Sequence, residues 1–131
     1  MFSKKKQPAI RSLIAEGNLI EGNIQFIDGL RIDGAVVGNV RSGEDKTSIL
    51  VISETASVTG EVHADHVIIN GAVRGPVYAR SMLELQPKAR IEGDVYYTAL
   101  EMHQGAIIAG QLHPTPAMLE EKPTLKLAAN N

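Results

Sequence analysis

The sequence contains no cysteine and no tryptophan, and only two phenylalanines and three tyrosines. Without cysteine there is no disulfide framework, no thiolate metal site and no thiol nucleophile. With so few aromatics, the core that 44% apolar residues can build must be aliphatic. No apolar run approaches the ~18 residues that a membrane-spanning helix needs. The start, MFSKKKQP, carries charge with no apolar stretch behind it, so it is not a secretory signal and the expected compartment is the cytoplasm. Twelve glycines are present, but no Gly-Lys-Ser/Thr follows any of them, which excludes a phosphate-binding loop of that type. Residues 12–112 show no sustained 3.6-residue period, which argues against helix–sheet architectures. A length of 131 residues suits one domain.

What is present is unevenly charged. The net charge of −2 hides a basic start: Lys4, Lys5, Lys6 and Arg11 stand in residues 1–11 without one acid. Residues 12–112 hold seven Lys/Arg against thirteen Asp/Glu, and residues 113–131 balance at two each. A basic arm on an acidic body points to an anionic partner for the arm. Nucleic acid is a poor candidate, because three adjacent lysines come with no aromatic platform and the body is acidic.

The dominant signal is a repeat. The motif [Ile/Val]-x-Gly-x-[Val/Ile/Leu] occurs as IEGNI at 20–24, VVGNV at 36–40, VTGEV at 58–62, VRGPV at 73–77, IEGDV at 91–95 and IAGQL at 108–112. The spacings of the central glycines are 16, 22, 15, 18 and 17. A second motif travels with it: Leu30-x-Ile32, Leu50-x-Ile52, Val67-x-Ile69, Leu83-x-Leu85 and Leu100-x-Met102. A small residue lies between the two: Ala35, Ala56, Ala72, Ala89 or Ala106.

Alternation at period two over a few residues is the signature of a strand, and pairs such as Asp28-Gly29, Asp33-Gly34 and Asn70-Gly71 are turns. About 17 residues per unit is too short for a propeller blade and fits one coil of a parallel β-helix. Equivalent residues of successive coils then stack ~4.8 Å apart. Ile/Val columns, Val77 and Val95 among them, fill the interior, and glycine turns each corner. The 22-residue interval holds an extra loop at 42–47. The drifting period argues against a strict six-residue left-handed repeat and for the right-handed sense usual in parallel crossovers. The expected fold is therefore all-β, a right-handed parallel β-helix of about six rungs. It spans residues 12–113, between an unstructured arm at 1–11 and a Pro-containing tail at 114–131.

Solenoid ends need caps, and none is evident here. Pro114, Pro116 and Pro123 leave no room for a covering helix after the last rung. The competing reading is that Ala9–Leu13 folds over the first rung and blocks it. Uncapped ends expose strand edges that pair with other chains. The expected polymerisation residues are Ile14, Ile20 and Ile24 at one end, and Leu100, Met102, Ile108 and Leu112 at the other.

Six such rungs, flexible tails and the MFSKKK start together resemble the bactofilins, a family of bacterial cytoskeletal proteins. The resemblance covers residues 12–112 and Met1-Phe2-Ser3-Lys4, which is similar to the membrane-targeting sequence of some members. It implies a triangular β-helix that polymerises without nucleotide into non-polar filaments through contacts between like ends. It also implies attachment to the inner face of the cytoplasmic membrane through Met1, Phe2, Lys4, Lys5 and Lys6. Peptidoglycan-synthesising or -cleaving enzymes, or their regulators, are the implied partners. A bulky aromatic common at the family's C-terminal contact has no counterpart among the four C-terminal residues named above.

The enzymatic alternative is a trimeric left-handed hexapeptide-repeat acyltransferase using one of His63, His66, His103 or His113. None of these stands in a hexad array, and no long loop or C-terminal helix would frame an acyl-CoA groove. His63 and His66 offer only two metal ligands without a third donor. The expectation is a non-enzymatic protein with no cofactor, no metal and no nucleotide. Tyr78, Tyr96 and Tyr97 are expected to stack at a corner, and Ala117–Leu127 is a candidate docking motif in the tail.

Overall fold

In the structure, a computed structural model describing residues 8–116, every assigned element is a strand. The first turn is β1 (Ile10–Ile14), β2 (Leu19–Glu21) and β3 (Ile24–Phe26). The second is β4 (Gly29–Ile32), β5 (Ala35–Val37) and β6 (Val40–Ser42). The third begins with β7 (Ile49–Ile52) and β8 (Ser57–Thr59), then enters β9 (Val62–Ile69), which bends into the fourth turn. After β10 (Ala72–Arg74), β11 (Val77–Leu85) likewise joins the fourth turn to the fifth. After β12 (Arg90–Glu92), β13 (Val95–Met102) leads into the sixth, which closes with β14 (Ile107–Ala109) and β15 (Leu112–Pro114).

All pairings are parallel. The register stacks six segments on each of three faces. The second face is the clearest, a six-stranded sheet in the order β14-β12-β10-β8-β5-β2. This is the solenoid that the repeat predicts.

The inward columns are the two sequence motifs. On the first face Leu30, Leu50, Val67 and Leu83 lie in register, as do Ile32, Ile52, Ile69 and Leu85. On the second face the column is Val36, Val58, Val73 and Ile91. On the third it is Val40, Val62, Val77 and Val95, each 0% exposed. Aliphatic side chains of similar shape fill most of a narrow prism, joined by Phe26 in the first turn and Tyr97 in the fifth, which is why the sequence manages with so few aromatics.

The corner between the second and third faces explains the repeated glycine. Gly38, Gly60, Gly75 and Gly93 hold φ between 144° and 152°, a region that L side chains rarely adopt. A Cβ on each would also strike the carbonyl oxygen of the corner glycine one turn earlier. The residue after the glycine has its own task. Asn23 Oδ1 accepts the Asn39 N–H, Asn39 Oδ1 accepts the Glu61 N–H, and Asp94 Oδ1 accepts the Gln111 N–H, all at 2.9–3.0 Å. Pro76 stands where no N–H needs an acceptor, so Glu61 is free of that role.

Three details differ from the sequence reading. The small residue preceding the second-face strand is Gly34 and Gly71 in two turns, not Ala35 and Ala72. Those alanines pair with Ser57 and Arg90 inside the strands. A Cβ at Gly34 or Gly71 would meet backbone oxygens of the preceding turn, so glycine is required there. Second, β1 takes in Ile10 and Arg11, which the sequence reading gave to the arm. Ile10 pairs with Gly29, and the Arg11 guanidinium meets Asp28 at 2.9 Å. Third, Ile10–Ile14 lies beside β4 as a strand and does not fold across the first turn.

Candidate functional site

The two ends of the solenoid are where the inward columns stop. Ile14 and Ile24 are half-buried and Ile20 is 36% exposed, against 0% for Ile32, Val36 and Val40 one turn further in. At the other end Leu100 and Ile108 are half-buried, while Met102 and Leu112 are each 44% exposed. Their neighbours one turn inward, Leu83, Leu85 and Val95, are 0% exposed and Ile91 is 1%. The structure thus places all seven expected end residues on the terminal turns, in the columns that form the core elsewhere. Met1, Phe2, Lys4, Lys5 and Lys6 lie outside the described residues, as does Ala117–Leu127.

The two ends are not alike. At the N-terminal end Ser12 occupies the column of Leu30, Leu50 and Val67, so the first turn lacks one aliphatic side chain. A hollow of about 890 Å³ opens there, lined by Leu13, Ile14, Ile24, Phe26 and Leu30 among others. At the C-terminal end every column is filled, and Pro114 lies in register with Tyr97. Thr115 N–H also donates to Tyr97 O. The last turn thus presents a flatter apolar layer.

Two features outside the ends were only partly legible. His63, Tyr78, Tyr96 and His113 form a continuous stack on the outside of the third face, with centroids 4.3, 4.7 and 4.4 Å apart. Burial pushes the Tyr78 hydroxyl above the ordinary tyrosine range, helped by Tyr96, Glu61 and Asp94 nearby. Tyr97 is not in this stack, nor is the stack at a corner. Strand alternation turns Tyr97 inward, where it packs against the core. The second feature is a polar staple behind the 43–47 loop. Arg80 Nε donates to Asp65 Oδ1 at 3.0 Å, and another guanidinium nitrogen donates to Ser42 Oγ at 2.7 Å. Asp65 in turn accepts the Ser48 N–H at 2.9 Å. These residues are 15–38 positions apart, and only the register brings them together.

The histidines do not form a metal pair of the kind that His63 and His66 suggested. His63 pairs in the ladder with Arg41 and Tyr78, whereas His66 pairs with Ile49 and Met82 on the first face. His63 instead contacts Glu61 at 3.0 Å and His113 contacts Asp94 at 3.2 Å.

A family profile described as "Bactofilin: Polymer-forming cytoskeletal" matches residues 12–113. The chain belongs to the bactofilin family. The described solenoid and the matched segment coincide almost residue for residue. A curated relative, bactofilin BacO of Myxococcus xanthus (strain DK1622), is 24% identical over 111 residues, which is 85% of each chain. No solved structure matches. This bactofilin is thus a member of a polymer-forming, cytoskeletal family, and its end turns are the natural place to look for the polymer contact. No helix among the described residues is long and apolar enough to cross a membrane.

Proposed function

We propose that this bactofilin is the subunit of a non-polar filament that assembles without nucleotide through contacts between like ends. The observation that carries this is the exposure of Ile20, Met102 and Leu112 in columns that are fully covered one turn further in. A like-end contact returns those side chains to the environment that the inner turns already provide. It also covers the unpaired backbone groups of the terminal strands, which are otherwise templates for association. The N-terminal arm, through Met1, Phe2, Lys4, Lys5 and Lys6, holds the filament on the inner face of the cytoplasmic membrane. On that surface the filament positions peptidoglycan-synthesising or -cleaving enzymes or their regulators. No catalytic role is assigned to the chain itself.

The absence of native cysteine makes the test clean. Ile108→Cys and Leu112→Cys each place a single thiol at the C-terminal end. Filaments are imaged by negative stain without nucleotide and then oxidised. A contact between like C-terminal ends brings two copies of the same thiol together. At least one of the two variants should then form a disulfide dimer. A head-to-tail polymer cannot link a chain carrying one such thiol through its ends. Filaments that yield no dimer from either variant would overturn the like-end contact, and absence of filaments in the unaltered protein would overturn the polymer itself.

A further inference from the structure

The register brings three potential metal ligands together on the outside of the first face, where the fifth turn meets the sixth. Glu84 and Glu101 are directly paired on adjacent strands, and His103 follows Met102 at the end of the same sixth-turn segment. One ligand atom from each lies within 4.8 Å of the other two. His103 Nε2 stands 3.2 Å from Glu101 Oε2 and 3.6 Å from Glu84 Oε2.

Three observations favour a cation over a simple ion pair. First, two carboxylates stacked at one strand spacing repel each other, and a shared cation removes that cost. Second, His103 Nε2 has almost no solvent contact and no well-aligned hydrogen bond, although carboxylate oxygens lie within reach. Third, the two nitrogen–oxygen distances suit a tetrahedral ion. Zn–N and Zn–O bonds of ~2.0–2.2 Å imply ligand–ligand edges of roughly 3.3–3.5 Å, between the two distances seen here.

The surroundings also restrain the ligands. Gln86 Nε2 donates to Glu84 Oε2 at 2.7 Å, which fixes that carboxylate. The backbone N–H of His103 donates to Leu85 O at 2.8 Å, and its carbonyl accepts the Ala106 N–H at 3.2 Å. His66 Nε2 lies 4.0 Å from Glu84 Oε1, at the edge of the group.

The geometry points to a divalent transition-metal site formed by Glu84, Glu101 and His103, with Zn²⁺ the best match and water completing the shell. One imidazole nitrogen with two carboxylates selects Zn²⁺ over Mg²⁺ or Ca²⁺, which prefer all-oxygen shells. The ion clamps the sixth turn to the fifth.

The test uses the tag-free full-length chain, stripped with a chelator and titrated with Zn²⁺ against a chromophoric competitor at pH 7.5. One equivalent should bind per chain, and Co²⁺ in its place should give the intense visible bands of a tetrahedral site. Glu101→Gln and His103→Ala should each weaken Zn²⁺ binding at least tenfold while keeping the β-rich circular dichroism spectrum. His63→Ala and His113→Ala, which alter the outer stack on another face, should bind as the unaltered chain does. The melting temperature should rise with Zn²⁺ in the unaltered chain and not in Glu101→Gln. Absence of saturable binding below about 100 µM would overturn the site, as would equal affinity in His103→Ala.

Discussion

At the residue scale the corner glycines and the inward valines carry most of the fold. Gly75 combines φ 144° with a site where a Cβ would meet the Gly60 carbonyl, whereas Gly43 has open space and no unusual φ. Gly75→Ala should therefore cost roughly 2–4 kcal/mol, and Gly43→Ala should stay within about 0.5 kcal/mol, by denaturant melts of the two variants. Equal midpoints would show that the corner can relax. Val95 is 0% exposed, so Val95→Asp buries a carboxylate without a partner. It should lower stability by about 4 kcal/mol or more, which thermal melting would register as a large fall or as loss of folding. These roles were legible because the repeat writes each of them several times. Tyr97 was not read correctly, although the information was there. Alternation from Val95 sends Tyr96 outward and Tyr97 inward, but their shared chemistry suggested one shared place.

At the element scale, strand existence followed directly from alternation, but three strand boundaries did not. β9, β11 and β13 run through the edge between two faces without a break. Asp65, Arg80-Ser81 and Thr98 stand at those bends, and none of them announces a turn. The Glu84, Glu101 and His103 group was missed for a related reason. Glu101 lies one rung after Glu84, and a search for ligands close in sequence passes over residues that meet only through stacking. The Asp94–Gln111 hydrogen bond at the last corner has a consequence for pH. The Gln111 N–H, and then His113, hold the Asp94 carboxyl below the usual carboxylate range. Because the folded value is the lower one, this contact contributes fully above the unfolded value of about 3.9 and is lost as pH falls through the folded one. The sixth turn should fray before the inner turns as pH drops below about 4, seen as early loss of hydrogen-exchange protection at the Gln111 amide. Asp94→Asn keeps an acceptor oxygen without the titration, so its protection should persist to lower pH. Early loss in that variant too would assign the fraying to another group.

At the scale of the whole molecule, the proposed function makes the ends and the arm interdependent. Leu112→Arg and Met102→Arg change side chains that are 44% exposed, so folding should be preserved while like ends repel. Both variants should sediment as small oligomers, and Ile24→Arg should block the opposite end at a greater cost to stability, because Ile24 packs against the core. Persistent long filaments in both C-terminal variants would remove Leu112 and Met102 from the contact. Membrane attachment should follow assembly. One arm carries Lys4, Lys5 and Lys6, each adding about 1 kcal/mol near an anionic surface, and Met1 and Phe2 add roughly 1.5–3 kcal/mol each if fully buried. Against the entropy of association, that sum gives only weak and reversible binding. A filament presents the same arm on every subunit, so avidity can exceed the single-arm affinity by ~10²–10⁴. Filaments should therefore co-sediment with anionic vesicles, while Leu112→Arg oligomers mostly stay in solution. Phe2→Ala should weaken binding at every salt concentration. Replacing Lys4, Lys5 and Lys6 with Gln should remove mainly the salt-sensitive part, because screening acts only on the charges. Equal binding by Leu112→Arg and the unaltered chain would separate attachment from assembly. Full binding by a chain carrying all four arm substitutions would place the membrane contact elsewhere on the solenoid.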